Sequence, residues 1–280
     1  MFEAFDTFLF DGDGVLYKES ASLPGAIEFI NLLRKKGKQV FILTNNSTKT
    51  RKEFQAKLRQ MGIEMQIENI LTSSFLTARY IKSLSQDSKI YVIGEQGLKE
   101  ELQLEGLIVL NDWKEENGEK IFDFQFNKVD YVVTGMDRFL NYTKISRAVH
   151  ILQNYSDVKF IATNADFTFP TVQGLIPGGG AMITILESVS GRKVEEIVGK
   201  PQPAMYETAL KIAKTPADQA IMFGDRIETD ISGANKMGIN TCLVLTGVTN
   251  MADLADLTEE TAPTIIMNDL NDAIQSFTED

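Results

Sequence analysis

The chain has one cysteine, Cys242, and one histidine, His150, in 280 residues. A lone cysteine excludes an internal disulfide and fits a reducing cytosol, so a cytoplasmic location is expected. Cys242 falls in the apolar run from Thr241 to Leu245 and reads as a buried strand residue. His150 lies on the amphipathic pattern of residues 145–152, as a surface or packing residue. With histidine set aside, acid–base work falls to carboxylates and metal ligation to oxygen. Positive charge is also scarce, with 28 Lys and Arg against 39 Asp and Glu and a formal net charge of -11. That balance argues against nucleic acid and anionic membrane as partners, because neither potential attracts an acidic protein. The basic group Arg34, Lys35, Lys36 and Lys38 falls on or just after a helical pattern and reads as a solvated face. An anionic substrate would have to be held by a local device: a metal, a lysine or a helix amino terminus. No apolar run approaches membrane-spanning length, and Glu3 and Asp6 stand where a secretory leader would be basic. There is no repeat of fixed period and no low-complexity tract.

What is present is alternation. Apolar runs at residues 8–10, 39–43, 89–93, 131–134, 159–162, 219–223, 241–245 and 264–267 are separated by amphipathic stretches bounded by proline and glycine. Helical patterns span residues 26–36, 48–61, 98–105, 142–153, 181–189 and 204–213. This order predicts an α/β fold with parallel sheets covered by helices. The polar stretch at residues 83–88 and the segment Ser190, Gly191, Arg192, Lys193 read as crossings between domains. Residues 196–198 read as a short strand opening the last part of the chain, and a wet loop holds Trp113, Asn117 and Gly118.

The most informative stretch is residues 8–17, FLFDGDGVLY, where an apolar strand ends in Asp11 and Asp13. Ligands of open α/β sheets bind at the carboxyl ends of the strands. Two carboxylates there can hold a divalent cation, attack an electrophile or move protons, although an Asp-Gly-Asp-Gly turn is also ordinary turn chemistry. A calcium loop of the EF-hand type is excluded, because its glycine position holds Leu16 and its bidentate acid position holds Ser22. Three further strand ends carry polar groups: Thr44 with Asn45, Lys200, and Asp225. Gly199 and Lys200 do not make a P-loop, since Val194 stands at its first glycine. Gly178, Gly179 and Gly180 lack the spacing of a dinucleotide fingerprint and read as a turn into a helix.

Taken in order, these four motifs resemble those of the haloacid dehalogenase superfamily of phosphohydrolases. Leu23-Pro24-Gly25, Thr44-Asn45-Asn46-Ser47, Thr163-Asn164-Ala165-Asp166 with Pro177 to Gly180, and Ser190-Gly191-Arg192-Lys193 are similar to the NagD-like, p-nitrophenylphosphatase branch. The resemblance spans nearly the whole chain. It implies a Rossmann-like parallel-sheet core, residues 1–83 and 191–280, with an inserted α/β cap, residues 84–190. It further implies a Mg2+-dependent phosphatase of small phosphorylated metabolites working through an aspartyl-phosphate. Asp11 would be the nucleophile and Asp13 the acid–base residue. Thr44, Asn45 and Lys200 would bind phosphate. Asp11, the Asp13 carbonyl and Asp225 would hold Mg2+, with Asp230 behind them. In the cap, Asp166 and Phe169 are the candidate substrate-specificity residues, on a loop over residues 166–170, with Asp137, Arg138 and Tyr142 as the next places to look. A homodimer is compatible with this reading. A phosphotransferase or mutase would use the same intermediate, and a non-catalytic phospholigand sensor would not need Asp13. Two departures stand out: Gly12 replaces a larger apolar residue, and Ala165 replaces a common proline.

Overall fold

Every residue of strand Thr7–Phe10 is buried, which requires cover on both faces of the sheet that contains it. In the computed structural model, which describes residues 2–111, 121–171 and 173–278, that strand lies inside a six-stranded sheet. The loop with Trp113, Asn117 and Gly118 lies outside the described residues. The strand pairs in parallel with Gln39–Thr44 on one side (Phe10 level with Ile42) and Ala220–Gly224 on the other (Phe10 level with Phe223). Asn240–Val244 and Ile265–Met267 extend the sheet beyond Ala220–Gly224, and Ile70–Thr72 lies outside Gln39–Thr44. Because side chains alternate along a strand, Phe8 and Phe10 share one face. There they meet Phe2, Phe29, Phe223 and Phe277, with the Phe10 and Phe223 rings stacked at 4.9 Å. Helices Ala26–Lys35 and Leu270–Thr278 contribute Phe29 and Phe277, and helix Ala204–Ala213 packs against Thr7–Phe10 and Gln39–Thr44. Burying one such phenylalanine is worth about 1.5 to 3 kcal/mol, so this cluster anchors the strand that ends at Asp11.

Packing divides the chain into two units. The first comprises Met1–Thr44, Lys52–Leu71 and Lys200–Asp280; the second comprises Asn45–Arg51 and Thr72–Gly199. The second has its own five-stranded sheet, in the order Glu196–Ile197, Lys159–Ala162, Tyr131–Thr134, Lys89–Ile93, Ile108–Val109. All of its pairings are parallel. Its core joins Tyr91, Val132 and Phe160 to Ala148, Ile151, Leu152, Met182 and Leu186 from helices Tyr142–Asn154 and Gly179–Ser190.

Three elements differ from the sequence reading. Glu196–Ile197, grouped there with the last part of the chain, pairs with Lys159–Ala162. The open edge of that strand supplies the partners, and Arg192 fixes the approach by donating to the Val158 carbonyl at 3.0 Å. Residues 168–171 are not loop: Thr168–Thr171 and Gly174–Pro177 form an antiparallel hairpin with Phe169 opposite Ile176. Pro170 concealed this strand, since proline suits only edges and bulges. A second small hairpin, Tyr17–Lys18 with Ala21–Ser22, follows the acidic turn. Among the described residues no helix is long and apolar enough to cross a membrane.

Candidate active site

The Asp11 amide donates to the Phe223 carbonyl at 2.9 Å, carrying the parallel pairing one residue past the strand. The chain then turns sharply. The Leu16 and Tyr17 amides donate to the Gly12 carbonyl at 3.0 and 3.2 Å, and the Gly14 amide donates to the Tyr17 carbonyl at 2.9 Å. Gly14 has a φ of +86°, and a Cβ there would lie 2.5 Å from Asp225 Oδ2, so the turn needs glycine for both conformation and space. Asp225 follows strand Ala220–Gly224 directly. Asp230 sits on a single wide helical turn, Ile227–Ile231, where the Asp230 and Ile231 amides both donate to the Arg226 carbonyl. Such turns aim side chains off the ordinary helical path and recur at functional sites.

Lys200 draws these strand ends together. Its buried ammonium donates to Asp11 Oδ1 at 2.5 Å, Asp230 Oδ1 at 2.7 Å and the Leu43 carbonyl at 2.8 Å. Burial alone would lower the lysine pKa, but Asp11 and Asp230 outweigh it and hold the group above its usual range, fully charged. Burial also raises the Asp11 carboxyl well above the ordinary range; Lys200 opposes that rise, while Asp230 and Asp225 add to it. Asp225 is pushed up to about 7, first by burial and then by Asp230. Asp13 is raised by burial as well, with Lys57 and Tyr17 pulling the other way. The Tyr17 phenol, buried beside Asp13, is raised well above its usual value by burial and by the two acids, and so stays a proton donor.

The donor set fits a hard divalent cation. Asp11, Asp225 and Asp230 offer oxygens that all lie within 4.8 Å of one another. Asp225 Oδ2 accepts from the Val248 amide at 2.7 Å, whereas its Oδ1 is buried without a hydrogen bond. An orphaned oxygen on a buried carboxylate whose pKa is raised, as that of neighbouring Asp11 is, is what a Mg2+ ligand looks like when its charge is uncompensated. Asp230 differs, because its Oδ1 serves Lys200 and its Oδ2 accepts from the Arg226 amide at 3.2 Å. That occupancy favours an orienting role behind the metal ligands.

A metal held by these acids would bind in a pH-dependent way. A carboxyl whose pKa rises on folding contributes stability that is fully present below its unfolded value, near 4, and is lost as pH rises through its folded value, here about 7. Mg2+ must displace those protons at low pH but not above the window. We expect saturating Mg2+ to raise Tm markedly at about pH 8 and much less at about pH 5. Paired thermal melts with and without Mg2+ check this; an equal shift at both pH values would contradict a site built from these acids.

The remaining expected residues fall elsewhere. Thr44 is buried at the end of its strand, and continuing the register of Ile42 with Phe10 brings it level with Gly12. Asn45 belongs to the second unit, where its Nδ2 donates to Asp166 Oδ2 at 2.9 Å. Asn164 Nδ2 donates to the same oxygen at 2.8 Å. Asp166 thus holds Asn45 and Asn164 in place. Phe169 is half-buried in its hairpin, whereas Phe167 is 69% exposed. Asp137 is sealed in a buried ion pair with Lys144 at 2.7 Å, and Arg138 clasps Glu95 through two hydrogen bonds of 2.7 Å. Sequence reasoning gave no role to Tyr17 or Lys57. The signal available for Tyr17 was Gly12, a gap where a side chain was expected.

Comparison with known proteins agrees with this geometry. A haloacid dehalogenase-like hydrolase model matches residues 8–108, and a related HAD-hydrolase-like model matches residues 197–273. An acid sugar phosphatase of Staphylococcus aureus (strain USA300) is 36% identical over 270 residues, covering 96% of this chain and 97% of that one. The structure of a p-nitrophenyl phosphatase from Archaeoglobus fulgidus aligns with a TM-score of 0.85 at 31% identity, covering 97% of this chain and 99% of that chain. A glycerol phosphate phosphatase from Mycobacterium tuberculosis, solved in complex with magnesium, aligns with a TM-score of 0.83 at 26% identity, covering 96% of this chain and 76% of that chain.

Proposed function

The chain belongs to the haloacid dehalogenase-like hydrolases, in their NagD and p-nitrophenylphosphatase subfamily, and from that premise we propose how its residues divide a two-step phosphoryl transfer. It is a phosphoric monoester hydrolase of small phosphorylated substrates. The single observation that carries the mechanism is the convergence of Asp11, Asp225 and Asp230 at the strand ends, with Lys200 bridging Asp11 and Asp230.

In the first step an Asp11 carboxylate oxygen attacks phosphorus and the bond to the leaving oxygen breaks. Asp13 gives that oxygen its proton. In the second step Asp13 takes a proton from water, the water oxygen attacks phosphorus, and the bond from phosphorus to Asp11 breaks. Asp11 returns as carboxylate and phosphate departs. Lys200 supplies fixed positive charge beside the attacking carboxylate, and Thr44 and Asn45 offer hydrogen bonds to phosphoryl oxygens. Asp11, Asp225 and the Asp13 carbonyl would hold Mg2+, which neutralises charge on the phosphoryl group when bound. Residues 84–190 act as the cap that reads the organic part of the substrate. Sugar phosphates, glycerol phosphate and p-nitrophenyl phosphate, named for the relatives, are the first substrates to screen.

The test is phosphate release from these esters with Mg2+ and with excess EDTA. Hydrolysis that chelation silences and Mg2+ restores is expected. Full activity in chelator would remove the metal from the mechanism, and no release from any ester would overturn the phosphatase reading.

A further inference from the structure

Gly12 stands between the two reacting acids, where the resemblance leads one to expect a larger apolar side chain. The space is not empty. A Cβ on Gly12 would lie 2.6 Å from the Tyr17 hydroxyl oxygen and 3.1 Å from the ring carbon that bears it. The first of these is closer than atoms tolerate and the second is unusually tight, so the phenol occupies the room that the missing side chain leaves. The ring itself is fully buried and held from several directions. Lys57 Nζ sits 3.7 Å from its centroid, Phe54 meets it edge-on at 6.0 Å, and the Tyr17 backbone is tied to Gly12 and Gly14 by the turn. Its hydroxyl is buried beside the Asp13 carboxyl but completes no hydrogen bond of good geometry. Buried donors are nearly always satisfied, so a donor left poised next to a reacting carboxyl calls for an explanation.

We propose that Tyr17 is a positioning residue for Asp13: its hydroxyl, admitted over the turn by Gly12, hydrogen-bonds one Asp13 oxygen and turns the other toward the leaving group. The inference rests on the phosphatase reading with Asp13 as proton donor. It explains the Gly12 departure as half of a pair, glycine making room for the phenol that restrains its neighbour. A carboxyl beside an open turn has two-fold torsional freedom, and a fixed donor removes it at the atom where proton transfer demands alignment.

The readout is dependence on the leaving group. Nitrophenolate leaves readily without a proton, whereas the alkoxide of glycerol phosphate or a sugar phosphate needs one in the transition state. Tyr17→Phe keeps the ring and removes only the hydroxyl. In this variant kcat/KM for the alkyl phosphate is expected to fall at least about tenfold more than kcat/KM for p-nitrophenyl phosphate. Inhibition by inorganic phosphate should stay within about threefold of wild type, since phosphate is held by other groups. Gly12→Ala, which drives a methyl group into the phenol, should show the same selective loss, and combining it with Tyr17→Phe should add little further selectivity. Equal losses on both esters would overturn the positioning role, as would no loss on either. A full additive effect of Gly12→Ala would also overturn the pairing. Wild-type protein inactive on both esters would remove the phosphatase reading and this inference with it, whereas active wild type with a uniform Tyr17→Phe effect removes this inference alone.

Discussion

Asp11→Asn is expected to lower kcat for p-nitrophenyl phosphate by at least about a thousandfold while the protein stays folded. An amide is a poor nucleophile toward phosphorus, and nothing nearby replaces the lost carboxylate. Asp13 has its own task, Asp225 has one oxygen tied to the Val248 amide, and Asp230 has both oxygens engaged. The fold should tolerate the change because burial, the largest influence, disfavours the ionised Asp11, and Lys200, which opposes it, keeps Asp230 and the Leu43 carbonyl as partners. Near-native circular dichroism and an undiminished Tm should therefore accompany the lost turnover. A variant that hydrolyses within tenfold of wild type would sink the assignment of Asp11.

The second large effect falls on stability. Lys200 is almost completely buried between Asp11 and Asp230. Lys200→Met keeps length and bulk but leaves acids in a low-dielectric site without their cation. Breaking a buried pair in this way costs about 3 to 5 kcal/mol, because the remaining charge is uncompensated. The penalty should shrink at low pH, where acids of raised pKa take up protons and need no cation. Urea unfolding of both proteins in metal-free buffer at about pH 8 and about pH 5 checks this. A loss below about 1 kcal/mol, or one equal at both pH values, would mean that Lys200 is not the counter-charge of the cluster.

The sequence made the strands legible where apolar runs are uninterrupted. Lys89–Ile93, Tyr131–Thr134 and Lys159–Ala162 begin and end where the pattern does, because the interior of a strand covered on both faces is predominantly apolar and its polar residues fall at the ends. Hairpins escaped notice for the opposite reason. Tyr17–Lys18 is too short to show alternation, and Thr168–Thr171 holds Pro170. The partner of Glu196–Ile197 could not be read locally, since a parallel pairing is decided by which sheet edge is free and not by the strand's own residues. Site residues showed the same division. Asp11, Lys200 and Asp225 announce themselves as polar groups ending apolar strands. Asp166 was read as a substrate contact because its loop position is visible, whereas its hydrogen bonds to Asn45 and Asn164 are tertiary facts. Tyr17 was hidden in plain view, its ring counted with the apolar strand and turn that it follows. Only the space above Gly12 shows where its hydroxyl lies.

The claim on which all of this depends is that phosphorus becomes bonded to Asp11 during turnover. Borohydride reduces an acyl-phosphate but not a free carboxylate, so it converts a phosphorylated aspartate to homoserine. Wild-type enzyme quenched with borohydride during steady-state hydrolysis, then digested and sequenced by mass spectrometry, should carry homoserine at position 11, and only when substrate is present. Reduction at Asp13 instead, or no substrate-dependent reduction during sustained turnover, would contradict the account.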